Sequence, residues 1–193
     1  DTVFNKPGVL FFAAAGDVGG QTVYPGVSPQ VVSCGGTRVN RTARGRFISE
    51  TGWVNGGGGP SAFFTIPSYQ AARSEVVAKT GTQRGSPDIS FNADPTTGVA
   101  VFTSTPVGGE TGWMVLGGTS VSAPALAGIV NLSHHWTGRN PGTTADELTL
   151  IYSNLGKRHI FRDILAGTAG SFSCTPSWDF ITGVGSNLGV FGK

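Results

Sequence analysis

Twelve consecutive residues, Gly117-Gly118-Thr119-Ser120-Val121-Ser122-Ala123-Pro124-Ala125-Leu126-Ala127-Gly128, leave this backbone few choices. Two glycines and two hydroxyl residues form a tight turn, and Pro124 predicts the first turn of a helix, where a missing N–H costs little. Ile129, Val130 and Leu132 continue the apolar pattern towards Trp136. A helix so placed points its N-terminus back at Ser120, where unpaired amides and the positive end of the helix dipole favour an anion or an oxyanion. Ser120 is therefore the candidate nucleophile.

The rest of the chain reads as α/β. Gly8 to Ala15 is an apolar run of strand length, expected in a parallel sheet covered on both faces. It ends in Gly16-Asp17-Val18-Gly19-Gly20, and ligands gather at the carboxyl ends of such strands, which makes Asp17 the second candidate. Gln30 to Cys34 reads as another strand, closed by Gly35-Gly36-Thr37. The glycine-rich stretch from Glu50 to Ser61 reads as irregular, and it lacks the Lys-Ser/Thr ending of a phosphate loop. Ala72, Val76 and Val77 predict one helix from Tyr69 to Gly81. Val99 to Phe102 and Trp113 to Leu116 predict strands. Thr144-Ala145-Asp146-Glu147 reads as a capping box that opens a helix carrying Leu148, Ile151, Tyr152 and Leu155.

Several motifs together resemble one family. G-T-S-x-S-x-P with A-x-A-G, at Gly118 to Gly128, resembles the nucleophile segment of subtilisin-like serine peptidases, and Ser122 is especially similar to the sedolisin branch, the serine-carboxyl peptidases. The E-x-x-W stretch from Glu50, R-G-x-P-D-h-S at Arg84 to Ser90 and A-D-P-x-T-G at Ala93 to Gly98 are similar to sedolisin signatures as well. The resemblance implies a subtilisin-like, mostly parallel sheet with flanking helices. It spans essentially the whole chain, yet matches roughly the C-terminal half of the family's catalytic domain, so residues 1–193 are expected to form a single unit that is the C-terminal portion of that domain.

The resemblance also implies roles. Where subtilisins place an oxyanion-hole asparagine after A-A-A-G, sedolisins place an aspartate, here Asp17. A carboxyl donates a hydrogen bond only when protonated, and with a reference pKa near 3.9 this implies work at acid pH. The family holds one Ca²⁺ near its C-terminus. Carried over, the ligands are Asp163, the carbonyls of Ile164, Thr175 and Ser177, and Asp179, with Thr175 and Ser177 standing where the family has glycines. On the residues alone, the two carboxylates in a carbonyl-rich loop suit either Ca²⁺ or a loop-stabilising pair without metal.

Composition excludes other classes. The formal net charge is +2, and the one basic cluster, Arg38, Arg41, Arg44 and Arg46, lacks interleaved aromatics, so no nucleic-acid partner is expected. No apolar run reaches the length of a membrane span. Charged residues make up 12% of the chain and glycines number 31, a balance that fits a secreted protein, and the acid chemistry that the resemblance implies adds an acidic compartment as the other location expected. Asp1 opens no signal peptide, so the chain reads as a mature product or part of a longer one. Cys34 and Cys174 leave one bridge open. Asn40-Arg41-Thr42 is an acceptor sequon, whereas Asn131-Leu132-Ser133 falls inside the expected helix.

The base is the missing element. His134, His135 and His159 all follow Ser120, the reverse of the subtilisin order Asp, His, Ser. His134 lies about 21 Å along the helix from the serine. Sedolisins use a glutamate oriented by an aspartate, both from a helix before the oxyanion aspartate, but no glutamate precedes Asp17 here. Three readings follow. The chain is part of an acid endo- or tripeptidyl peptidase acting on protein or peptide substrates together with the missing N-terminal half. Alternatively it is a stable non-catalytic binding or defence protein, or it uses Glu50, Glu75 or Glu110 as base.

Overall fold

The computed structural model describes residues 1–192. In chain order the elements are β1 (Phe12–Ala14), β2 (Val32–Arg41), β3 (Phe47–Gly52), β4 (Gly59–Thr65), α1 (Ser68–Ala71), α2 (Ser74–Thr80), β5 (Gln83–Ser86), β6 (Ile89–Asn92), β7 (Val99–Val107), β8 (Glu110–Leu116), α3 (Thr119–Thr137), α4 (Thr144–Ser153), β9 (Phe161–Arg162), β10 (Thr168–Ala169), β11 (Phe172–Ser173) and β12 (Ser186–Asn187). The principal sheet has the order β1-β2-β6-β12-β9, with β3 added to β2. β1, β2, β6 and β12 are parallel neighbours, while β3 and β9 run antiparallel. This is the mostly parallel α/β sheet that the motifs imply. No helix of the described residues is long and apolar enough to cross a membrane.

Several local expectations are corrected. The first strand is confined to Phe12–Ala14 and is half-buried rather than covered on both faces, because β1 is an edge strand. β2 does not stop at Gly35 but runs through both glycines to Arg41. These glycines serve close packing: a Cβ on Gly36 would lie 2.8 Å from that of Ala93 and 2.9 Å from the Trp53 ring. Glu50 stands in regular β3, and irregular backbone is limited to the few residues between Gly52 and Gly59. The helix expected from Tyr69 to Gly81 is broken at Arg73, whose backbone is extended at φ −120°, and Tyr69, Gln70 and Val76 are all buried on the two pieces.

α3 begins at Thr119, so Ser120 lies in the first turn and Pro124 inside the helix rather than at its start. Pro124 has no N–H to give the Ser120 carbonyl four residues earlier, which opens the helical ladder beside the serine. Asn131 is exposed on this helix rather than buried. The capping box of α4 is shifted by one residue: Thr143 is the N-cap, and the Asp146 carboxylate accepts from Thr143 N–H at 2.7 Å. Glu147 is thereby released into the core, where Oε2 meets His134 Nε2 at 2.9 Å.

The main core joins Val32, Cys34 and Ile89 of the sheet to Leu126 of α3, to Leu148, Ile151 and Tyr152 of α4, and to Trp178. Through it runs a polar network without solvent. Asp88 Oδ2 accepts from Arg84 Nη2 at 2.6 Å and from Ser33 N–H at 2.8 Å, and Oδ1 accepts from Tyr152 Oη at 2.8 Å. Tyr152 Oη accepts in turn from Gln70 Nε2 at 2.6 Å and Trp178 Nε1 at 3.2 Å. Arg84 and Asp88 are both 0% exposed, so Asp88 is structural, and Asp94 likewise caps the turn at Thr96 N–H, 2.9 Å away. The cysteines are not bridged: Cys34 lies in the main core and Cys174 in a second cluster with Ile164, Ala169 and Ile181. Burial raises both thiols, Cys174 to about 12, which leaves them poor nucleophiles.

Arg84→Met strands the Asp88 carboxylate in the core and is expected to destabilise the fold by about 3–5 kcal/mol. Tyr152→Phe, which removes a hydroxyl with one donated and two accepted bonds, is expected to cost about 1–3 kcal/mol. Urea unfolding of the two variants checks both the size and the order of these losses.

Candidate active site

Asp17 leaves the end of β1 and reaches the N-terminus of α3, as the strand-end argument requires. Its Oδ1 accepts from Thr119 N–H and from Thr119 Oγ1, each at 2.7 Å. Thr119 Oγ1 accepts in turn from Gly16 N–H at 3.1 Å, so the two segments hold each other. Thr119 is the residue that sequence reasoning passed over; its only signal was a hydroxyl between Gly118 and Ser120.

Gly118 makes the approach feasible. Its φ of 95° with ψ of 158° is reserved for glycine, its N–H donates to Ala93 O at 2.6 Å, and a Cβ there would lie 2.7 Å from Asp17 Oδ2. Ser120 follows directly and is exposed, as is Asp17. Among the described residues neither the Ser120 hydroxyl nor its N–H has a hydrogen-bond partner. Ser122, the second serine of the motif, is buried and donates to Phe91 O at 3.2 Å, tying α3 to β6.

None of the in-chain carboxylates considered as a base bonds to Ser120. Glu50 accepts from Thr37 Oγ1 at 2.6 Å and from Ser186 Oγ at 2.8 Å, Glu75 pairs with Arg73 at 2.8 Å, and Glu110 begins β8. His134 is occupied by Glu147. The arrangement sets an exposed serine hydroxyl and a free amide beside the Asp17 carboxylate, and among the described residues no base bonds to that serine.

The C-terminal loop brings Asp163 and Asp179 onto one turn. Asp163 Oδ2 accepts from Ser177 N–H at 3.0 Å, and Asp179 Oδ2 accepts from Thr175 N–H at 3.2 Å. Asp179 Oδ1 accepts from the N–H groups of Ile181 and Thr182 at 2.9 and 2.8 Å. Burial pushes the Asp179 carboxyl up, against the pull of these donors. Ser177 has φ 78°, the only positive value at a non-glycine among the described residues, so the backbone angle expected of a glycine is kept. The carbonyls of Ile164, Thr175 and Ser177 accept no hydrogen bond among the described residues. Among the described residues no group of three or more His, Cys, Asp or Glu side chains that could hold a metal gathers there. One contact was not anticipated: Lys79 of α2 reaches across to Thr175, Pro176 and Trp178.

A mostly parallel sheet with an aspartate at one strand end, facing a serine in the first turn of a buried-faced helix, is the frame of a subtilisin-like protein. A comparison with protein-family models finds no match. The chain is 36% identical over 208 residues to kumamolisin of Bacillus sp. (strain MN-32), covering 95% of this chain and 35% of that protein. It is 28% identical over 181 residues to sedolisin of Pseudomonas sp. (strain 101), covering 84% of this chain and 28% of that one. The solved structure of Pseudomonas sedolisin, a serine-carboxyl proteinase complexed with two molecules of pseudo-iodotyrostatin, superposes with a TM-score of 0.77 at 26% identity, covering 92% of this chain and 53% of that chain. The chain belongs to the sedolisin family, and its partial coverage of these relatives fits the C-terminal half of the catalytic domain.

Gly118→Ala is expected to cost about 1–3 kcal/mol, because alanine adopts this backbone region only under strain and its methyl displaces Asp17. Urea unfolding measures the loss, and a variant as stable as the parent would contradict the close approach of Asp17 to Gly118.

Proposed function

We propose that this chain is the part of an acid-acting serine-carboxyl peptidase that carries the serine and the oxyanion-hole donor, and that the peptidase hydrolyses protein or peptide substrates. The observation that carries this reading is the Asp17 carboxylate bonded to Thr119 at the start of α3, immediately before an exposed Ser120 whose N–H and hydroxyl have no partner among the described residues. Ser120 Oγ attacks the substrate carbonyl carbon and its proton passes to a base. The negative charge that develops on the carbonyl oxygen accepts hydrogen bonds from Ser120 N–H and from the protonated Asp17 carboxyl. A carboxyl donates only in its protonated form, so acid conditions favour this support. Thr119 fixes the carboxyl while leaving Oδ2 for the donated proton.

The base belongs to a partner segment. The chain spans 35% of kumamolisin and 53% of the solved sedolisin chain. β1 is an open sheet edge, and a groove of about 1010 Å³ runs between the segment before it and α3, lined by Val9, Leu10, Phe12, Val130, Leu132 and His134. We assign this face to the remaining half of the peptidase domain, which brings the glutamate and aspartate. A second reading, a non-catalytic binding or defence protein, is favoured by the lack of any bond between Ser120 and a base among the described residues. The low charge and the proposed acid chemistry support a protein that is secreted or held in an acidic compartment.

We assign one Ca²⁺ to Asp163, Asp179 and the carbonyls of Ile164, Thr175 and Ser177. The support is a buried carboxylate beside three carbonyls that lack donors. The ion would tie the C-terminal loop to the core and takes no chemical part.

Peptide hydrolysis is expected from the chain combined with its missing half, favoured at acid pH and abolished by Ser120→Ala. Asp17→Ala is expected to lower kcat by about 10²–10³. Asp17→Asn, whose amide donates at every pH, is expected to extend activity towards neutral pH. A folded Asp17→Ala variant with unchanged kcat would sink the oxyanion role, and turnover by the chain alone would require a base within it. At a hundredfold excess over Kd, Ca²⁺ is expected to stabilise the chain by about 2.7 kcal/mol, a gain read as a rise in melting temperature that Asp179→Asn removes.

A further inference from the structure

Besides the Trp178 indole bonded to Tyr152, the C-terminal turn is gripped from outside by the side chain of Lys79. Lys79 stands in the last turn of α2, and its Nζ donates to Thr175 Oγ1 at 2.5 Å, to Pro176 O at 3.2 Å and to Trp178 O. One ammonium carries three donors, and all three are used on this turn. Pro176 O accepts a second bond, from Trp178 N–H at 3.1 Å, which closes the chain tightly around Ser177.

Peptide planarity then decides which way the remaining groups face. In a trans peptide the N–H and C=O point in opposite directions. Because Trp178 N–H is aimed at Pro176 O, the Ser177 carbonyl of the same peptide points away from that side. Because Ser177 N–H is aimed at Asp163, the Pro176 carbonyl points away from Asp163 and towards Lys79. The turn is sorted into one set of carbonyls, Pro176 and Trp178, taken by Lys79, and another, Thr175 and Ser177, left without donors.

Sorting of this kind matters because Ser177 occupies a left-handed backbone conformation that an L-residue with a Cβ avoids. The turn needs support that a glycine would not. Lys79 is exposed, so water and salt screen its charge, and its effect is carried mainly by its hydrogen bonds.

We propose that Lys79 is a positioning residue for calcium, holding the Pro176 and Trp178 carbonyls so that those of Thr175 and Ser177 are presented to the ion. This inference rests on the calcium reading above.

The test is a Ca²⁺ titration of the purified chain by calorimetry, followed in parallel by tryptophan fluorescence, with melting temperatures taken in chelator. Lys79→Met is expected to weaken Ca²⁺ binding about tenfold, the lower range for residues that orient metal ligands, with little change in the chelator melting temperature. Lys79→Arg, which keeps a cationic donor, is expected to restore most of the affinity. Thr175→Val removes one acceptor from the other end and is expected to weaken binding in the same direction. Unchanged or tighter binding by Lys79→Met would overturn the role of Lys79 while leaving the calcium site standing. No binding by the parent chain at millimolar Ca²⁺ would overturn the calcium site, and the positioning role with it.

Discussion

The fold rests on the ion pair between Arg84 and Asp88. Burial alone would lower the Arg84 pKa, but the Asp88 carboxylate and the Tyr69 and Tyr152 rings raise it above its ordinary value, so the guanidinium stays charged inside the core. A charge there is tolerable only while every partner is present. Asp88 takes its partners from β2, β5 and α4, and Tyr152 extends the network to Gln70 of α1 and Trp178 of the C-terminal loop. Elements distant in sequence are thereby locked into one arrangement.

That lock also sets the candidate active site. β6 begins at Ile89, directly after Asp88, and its register against β2 fixes where Ala93 emerges. The Ala93 carbonyl accepts from Gly118 N–H, and the Phe91 carbonyl accepts from Ser122, so β6 decides both the position and the direction of α3. β1, aligned on the other side of β2, delivers Asp17 to the same point. Ser120 is thus mounted where the ends of β1 and β6 meet α3, and a groove lies between α3 and the segment before β1. The C-terminal loop is anchored from the same network through Trp178, whose neighbours on either side are Ser177 and Asp179.

The signals that were legible in the sequence are those carried by short-range backbone chemistry. Small residues at Gly117 to Ser120 can only turn, an aspartate after an apolar run marks a strand end, and the motif around Arg84 to Ser90 announced a built feature. Less legible were boundaries that distant groups settle. Pro124 suggested a helix start, yet α3 begins at Thr119 because the Asp17 carboxylate supplies the cap from 102 positions away. The capping box is displaced to Thr143 and Asp146, which leaves Glu147 to meet His134 in the core. Gly35 and Gly36 looked like a strand end and are instead places where side chains press against the sheet.

By itself the sequence determined the fold class, the family resemblance, the candidate serine and aspartate, and the lack of a histidine placed to serve them, since each is written in residue types and local spacing. The tertiary structure alone decided that Thr119 joins Asp17 to the helix, that the two cysteines stay apart, and that Lys79 spans 96 positions to grip the C-terminal turn. The physical reason is common to these cases. Each depends on two groups brought together by sheet register and core packing, and neither group carries in its own neighbourhood any mark of the partner it meets.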